Sequence, residues 1–242
     1  MNSSSDRELV IFGLEGIGEI TRGAKLAEVI VVAANAAGRE LRSGDVVVVT
    51  QKIVSKAEGR VVAIDLSDPD AKRLLAESEA VRVLRRRGDL VITETAHGFI
   101  CANSGVDLSN VADGQAVLLP LDPDRSARTI RDGLRSLMGI EVGVIVSDTF
   151  GRTWRRGVID VAIGAAGVAA VIDLRGERDA LGRELIATEI CVADEITSAA
   201  DLVMGKATGV PVAVVRGVDS RWLRESSVHS EIIRPPQEDL FR

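Results

Sequence analysis

The chain has 242 residues, a formal net charge of -6 and a sequence pI of about 5.1, with 46% apolar and 27% charged residues. That composition supports a substantial core in one large domain or two small intertwined ones, and the acidic balance with only local arginine clusters excludes a duplex nucleic-acid surface. Tyrosine is absent and Phe and Trp are scarce, which excludes most aromatic stacking of bases or flavins; two lone cysteines, Cys101 and Cys191, without a CxxC pair argue against zinc or iron-sulfur centres and read as small core residues.

The N-terminus, MNSSSDRE, lacks the basic and apolar regions of a signal peptide, and the longest apolar run, Val161 to Ile172, is shorter than the roughly 20 residues that span a bilayer. The expectation is a cytoplasmic protein with no membrane partner. Val10 to Phe12 reads as a short strand entering a glycine-rich loop, Gly13 to Gly23, whose glycine spacing does not match the dinucleotide fingerprint GxGxxG. Apolar residues at Leu26, Val29, Ile30, Ala33 and Ala37 predict a helix between Ala24 and Arg39. Asp45 to Thr50, DVVVVT, predicts a strand buried on both faces, followed by a polar segment from Gln51 to Arg60 in which Lys56 reads as a solvated lysine.

The pattern from Asp70 to Arg87 predicts a helix with Leu74, Leu75, Val81 and Leu84 inward and Arg85, Arg86 and Arg87 complementing its C-terminal dipole. A strand at Leu90 to Thr93 leads to the turn-rich segment Asn103 to Asn110, where Asp107 in isolation reads as a turn residue. Asp122-Pro123 is a helix-start signal, and Ala127, Ile130, Leu134 and Leu137 continue that helix to Gly139. The small residues from Val161 to Ala170 predict a tightly packed helix running into a strand at Val171 to Leu174, and Arg175 to Glu184 a charged loop. Thr188 to Lys206 predicts a helix and Val210 to Arg216 the last strand, before a polar tail. The Gly205-Lys206 pair does not make a Walker loop, because Ala200 stands where the first glycine belongs and Ala207 where Ser or Thr belongs.

The chemistry concentrates in VGVIVSDTFGRTWRRG, Val142 to Gly157, where an apolar β-branched run stops on Asp148-Thr149. Read alone, this is either a turn with solvated arginines or a set of oxygen ligands for Mg²⁺ or Mn²⁺ at the end of a buried strand, with Arg152 and Arg155 as candidates for phosphate or carboxylate contacts. Aligning Val46 to Gln51 with Gly143 to Asp148 puts Thr50 on Ser147 and Gln51 on Asp148, a faint echo of two related halves.

Four phrases in this order, DVVVVTQKIVSKAEGRVV, SGVDLSN, VSDTFGRTWRRG and ADLVMGKATGVPVAVVRG, make the chain resemble the coenzyme F420-0:gamma-glutamyl ligase family over nearly its whole length. The resemblance implies an α+β fold of two intertwined, repeated halves with mixed sheets and flanking helices, no P-loop or Rossmann fingerprint, and a homodimer. Residues 1–242 would then form one ligase domain, which in some bacterial members precedes a flavin-binding domain. The implied activity is a GTP-dependent ligation of L-glutamate to coenzyme F420-0 through an acyl phosphate, with Mg²⁺ or Mn²⁺ as a pair of ions and K⁺ as a further candidate. Position by position, Asp107, Asp148 and Thr149 match the metal ligands, Lys56, Asn110 and Gln51 match positions that contact GTP, and Leu14, Glu15, Gly16 and Ile17 match the loop near the nucleotide. Asp107, Asp148 and Lys56 are the expected catalytic residues. The readings from other classes are a non-catalytic nucleotide or F420 binding module and an amide ligase for another small acid.

Overall fold

A computed structural model describes residues 8–240; the stretch read above for targeting signals lies, over residues 1–7, outside the described residues, as do the last two of the tail. In chain order the elements are β1 (Val10–Gly13), α1 (Leu26–Ala36), β2 (Val46–Thr50), α2 (Gln51–Glu58), β3 (Val61–Ala63), α3 (Ala71–Ser78), β4 (Ala80–Arg87), β5 (Leu90–Thr95), β6 (Ile100–Ala102), β7 (Gln115–Val117), α4 (Pro123–Met138), β8 (Gly143–Gly151), β9 (Val158–Ala166), β10 (Ile172–Asp173), β11 (Glu189–Ile190), α5 (Val192–Met204), β12 (Val212–Arg216) and α6 (Val228–Glu231). The fold class is α+β, as expected.

The main sheet runs β1-β12-β2-β8-β9, so strands from both ends of the sequence interleave. All its neighbours are antiparallel except β2 and β8, which pair in parallel with Val46 opposite Gly143 and Thr50 opposite Ser147. The paired positions coincide with those that the sequence echo aligns. Val46 to Val49 are fully buried, each contributing roughly 1.5–3 kcal/mol by leaving water. Such burial requires cover on both faces; α4 packs on β8 and β9 with α1 against it, and α5 packs on β1, β9 and β12.

Residues between β3 and β7 form a smaller lobe, in which β4-β5-β6 and β3-β7 close around Ala76, Val91, Val106, Ala116 and Leu118. Here the expected helix from Asp70 to Arg87 is corrected. The helix ends at Ser78, and Ala80 to Arg87 is a strand joined to β5 by the tight turn Gly88-Asp89, with Gly88 at φ 57°. Two apolar runs separated by Gly-Asp are a hairpin signal, and pairing with β5 outweighs the helical spacing of the leucines. Arg85 to Arg87 therefore lie on an exposed strand and complement no helix dipole; Arg82 pairs with Glu94 across the hairpin.

The expected helix from Val161 to Ala170 is likewise a strand, β9. Its small residues serve close approach by helices: a Cβ on Gly164 would stand 2.3 Å from the backbone of Pro123, at the start of α4. Between Val146 opposite Gly164 and Ser147 opposite Ala162 the register slips, which leaves Ile163 as the extra residue of a β-bulge. The bulge is pinned from two sides, with Ala162 N–H donating to Asp194 on α5 at 2.8 Å and Ala165 N–H donating to buried Asp124 on α4 at 2.8 Å. At the other helix start the sequence signal holds, because Asp122 caps α4 by accepting from Arg125 N–H and Gly139 closes it in a left-handed conformation.

Gly164→Ala should destabilise the fold by roughly 1–3 kcal/mol, since neither β9 nor the α4 backbone has room to yield. Equilibrium urea unfolding checks this; a midpoint equal to the wild type's would mean that the two elements are not in forced contact.

Candidate functional site

A cavity of about 540 Å³ opens at the C-terminal ends of β2 and β8, where the main sheet meets the small lobe. Ends of adjacent parallel strands are a usual place for ligands in sheets of this kind. An apolar groove of about 710 Å³ between α1, α2 and α4 lies apart from it and is lined by none of the residues selected from the sequence. Four carboxylates, Glu19, Asp107, Asp148 and Asp160, and three lysines, Lys52, Lys56 and Lys206, line the cavity at the end of the sheet.

Asp148 sits on β8 just past the bulge, so the irregularity in the register aims the strand at the cavity. Burial pushes its carboxyl up to about 7; a hydrogen bond from the Thr149 N–H opposes this, while the charges of Asp107 and Asp160 add to it. Asp107 comes from the small lobe, locked to Val117 by two backbone hydrogen bonds of 3.0 and 2.8 Å. Burial acts against its ionisation too, but the Lys52 ammonium at 2.9 Å and the Ser109 N–H at 2.7 Å outweigh burial and hold it below the ordinary carboxylate range. Asp160 faces Thr149 across the β8–β9 hairpin, accepts its hydroxyl proton at 2.6 Å and binds Lys206. Two of these three aspartates thus have an ammonium partner. Asp148, among the described residues, has none within ion-pair distance.

The residues around the carboxylates are held under constraint. Asn103, Ser104 and Asn110 all adopt φ between 52° and 57°, which is uncommon for side chains of this kind and clusters where a loop is shaped for a ligand. Lys56 is buried, contrary to its reading as a solvated lysine, because residues 51–58 form α2 rather than an open polar segment. Its ammonium bridges Glu19 of the glycine-rich loop and the Asn110 carbonyl, both at 2.7 Å, so it ties together the two loops that border the cavity. Gln51 uses its Oε1 to accept from Ser55, while its Nε2 and the hydroxyl of Ser147 are buried and have no partner. Both belong to residues lining the cavity, and unpartnered buried polar atoms at such a place are available to a ligand.

Of the residues chosen from the sequence, Ile17, Gln51, Lys56, Asp107, Asn110, Asp148 and Thr149 converge on this cavity. Leu14 does not: its side chain is fully buried in the core and its N–H donates to Val212 at 2.8 Å. Glu15 and Gly16 are exposed on the loop just before the lining begins, with Gly16 at φ 76°. Arg152 and Arg155 are outside as well; Arg152 donates to the Arg156 carbonyl at 2.8 Å and so closes its own loop. Residues the sequence did not single out for this site are Glu19, Lys52, Ser147, Asp160 and Lys206. Lys206 fails the Walker pattern for a physical reason: α5 precedes Gly205-Lys206 instead of following it.

Among the described residues no group of three or more His, Cys, Asp or Glu side chains is arranged to hold a metal. Two carboxylates with room beside them nevertheless fit Mg²⁺ or Mn²⁺, which commonly take one or two protein carboxylates and fill the remaining positions with water and phosphate oxygens. Asp148, without an ammonium partner among the described residues, and Asp107 line the same cavity and supply the needed charge, and the donor set is oxygen throughout.

The raised Asp148 sets a pH dependence. Between pH 4 and 7, approximately, the folded state retains a proton that the unfolded chain has lost, so this group lowers stability progressively as pH rises through that window. Asp148→Asn, which cannot ionise, should raise the melting temperature of the metal-free protein at pH 8 and leave it near the wild-type value at pH 4.5. Calorimetry with chelator present decides it; a variant melting below the wild type at pH 8 would show that the carboxylate is not strained there.

The sequence profile described as F420-0:Gamma-glutamyl ligase matches residues 16–217. The chain is 40% identical over 247 aligned positions to the coenzyme F420:L-glutamate ligase of Methanothermobacter thermautotrophicus, covering 96% of this chain and 98% of that one. It is 42% identical over 241 positions to the enzyme of that name from Methanopyrus kandleri, with 93% and 94% covered, and 40% identical over 218 positions to that of Methanocaldococcus jannaschii, with 84% and 86% covered. The cavity residues Ile17 to Asp160 and Met204 to Pro211 fall inside the matched region, and the chain belongs to the F420-0:gamma-glutamyl ligase family.

Proposed function

We propose that the protein joins the amine of L-glutamate to the terminal carboxylate of coenzyme F420-0 as an amide, with GTP cleaved to GDP and phosphate. The observation that carries this reading is the pairing of an uncompensated Asp148 with Asp107 in a cavity ringed by lysines, in a chain of this family. An unactivated carboxylate does not form an amide at a useful rate. Transfer of the γ-phosphoryl group to a carboxylate oxygen, with GDP leaving, gives an acyl phosphate; attack by the amine at its carbonyl carbon then expels phosphate, and the nitrogen gives up its proton.

Phosphoryl transfer spreads charge over the phosphoryl oxygens, so catalysis is chiefly positioning and charge neutralisation. Mg²⁺ or Mn²⁺ held by Asp107 and Asp148 would neutralise part of that charge. The protein's own groups account for the rest. The first turn of α2, Gln51 to Ile53, lines the cavity, and a helix N-terminus favours anions. Lys56 can exchange the exposed Glu19 carboxylate for a nucleotide phosphate while keeping its bond to Asn110. The Gln51 amide and the Ser147 hydroxyl, both without partners, offer donors to oxygens of the bound ligand.

Incubation with GTP, Mg²⁺ or Mn²⁺, L-glutamate and F420-0 labelled with ¹⁸O in its terminal carboxylate should give a product one glutamyl unit heavier by mass spectrometry, with label in the released phosphate. Label kept wholly in the product would overturn the acyl phosphate route. Asp107→Asn and Asp148→Asn should each lower the rate on the order of 10²-fold or more, by analogy with removal of one charge-stabilising group. Because the two act as one unit, the double variant should lose little beyond either single one. Rates that fall as the product of the two single effects would assign them separate roles.

A further inference from the structure

We infer that the ammonium of Lys206 occupies the place of a second cation, so that the nucleotide-free protein takes one divalent ion, at Asp107 and Asp148, and none at Thr149. The inference rests on the reading of Asp107 and Asp148 as a cation site and departs from the expectation of a pair of ions. The Thr149 hydroxyl is already engaged on both sides: it donates to Asp160 at 2.6 Å and accepts from Lys206 at 2.8 Å. Lys206 also binds Asp160 directly and stands 2.9 Å from Asp201. An ammonium has three donors, and here three oxygen groups, Thr149, Asp160 and Asp201, surround it. A divalent ion placed on Thr149 and Asp160 would share both with this ammonium and be repelled by it.

The position of Lys206 is built into the backbone. It follows Gly205, which ends α5 at φ 60° and ψ 177°, a conformation open essentially to glycine alone. A Cβ there would also stand 2.9 Å from Thr208. The chain therefore leaves the helix in one direction and delivers the lysine to the hairpin end where Thr149 faces Asp160. The ammonium meets its three oxygen partners without a metal's dehydration, and it lines the same cavity as Asp107 and Asp148.

The test is the count of bound Mn²⁺ in the metal-stripped, nucleotide-free full chain, titrated with Mn²⁺ and followed by the EPR signal of the free ion. The wild type should bind one ion per chain at neutral pH, and Lys206→Gln, which removes the charge and offers an amide oxygen, should bind two. The pair in the variant should show exchange-coupled lines at low temperature, because both ions would lie in one cavity. Lys206→Ala provides a second variant in which nothing replaces the ammonium, and it should also gain an ion. Two ions in the wild type, or no gain in either variant once circular dichroism has established that it is folded, would overturn the inference. Failure of the underlying reading looks different: Asp148→Asn would then bind Mn²⁺ as the wild type does.

Discussion

The parallel pairing of β2 with β8 is the constraint on which the rest depends. Both strands are buried on both faces over their apolar runs, so their side chains are packed against helices on either side and the ladder from Val46 opposite Gly143 to Val49 opposite Val146 is shut off from water. Two chain segments nearly a hundred residues apart are thereby forced to end side by side. One end turns directly into α2 and presents Gln51 and Lys52; the other continues through a bulge and presents Ser147 and Asp148. The polar groups reach a common cavity because the apolar groups behind them cannot move.

Around that junction the charges are paired with one exception. Lys52 answers Asp107 and Lys206 answers Asp160, while Asp148, among the described residues, has no ammonium within ion-pair distance. Leaving one carboxylate uncompensated costs stability, and the surroundings are over-determined enough to tolerate it. The bulge is held by Asp194 and Asp124, the Asp107 loop by its bridge to Val117, and the two bordering loops by Lys56. Asp124 shows how tightly this frame is made: its carboxylate accepts from Ala165, Val228 and His229 backbone N–H groups and so joins α4, β9 and α6.

Much of the main sheet was legible because its strands are runs of β-branched residues with no competing pattern, as in DVVVVT and VGVIV, and because Asp122-Pro123 and Gly139 mark both ends of α4. The sheet order was not legible, since β12 enters between β1 and β2 from the far end of the chain. The candidate site was legible where a phrase carries the family resemblance, as SDT and SGVDLSN do. It was illegible where the role comes from a partner far along the sequence. Lys52 is one lysine in a polar run until Asp107, 55 positions on, meets it, and Asp160 is one acid in a strand until the hairpin register sets it against Thr149. Lys206 stands in a Gly-Lys pair that Ala200 and Ala207 disqualify as a Walker loop, whereas its position depends on the helix that precedes it.

The misreading of β9 as a helix has the same root as the order of the site. A strand between two helices that approach closely needs small residues, and VAIGAA carries too few branched side chains to announce itself as β. The missing bulk is what admits the start of α4 against Gly164 and brings α5 near enough for Asp194 to reach the Ala162 N–H. Those two contacts fix where the bulge falls. The bulge in turn fixes which residues of β8 and β9 face each other beyond it, so that Thr149 meets Asp160 rather than its neighbour. A larger residue in β9 would strengthen the local strand signal and, by pushing a helix away, loosen the register that assembles the carboxylates. Weak local signal and a well-defined site are therefore two results of one packing requirement.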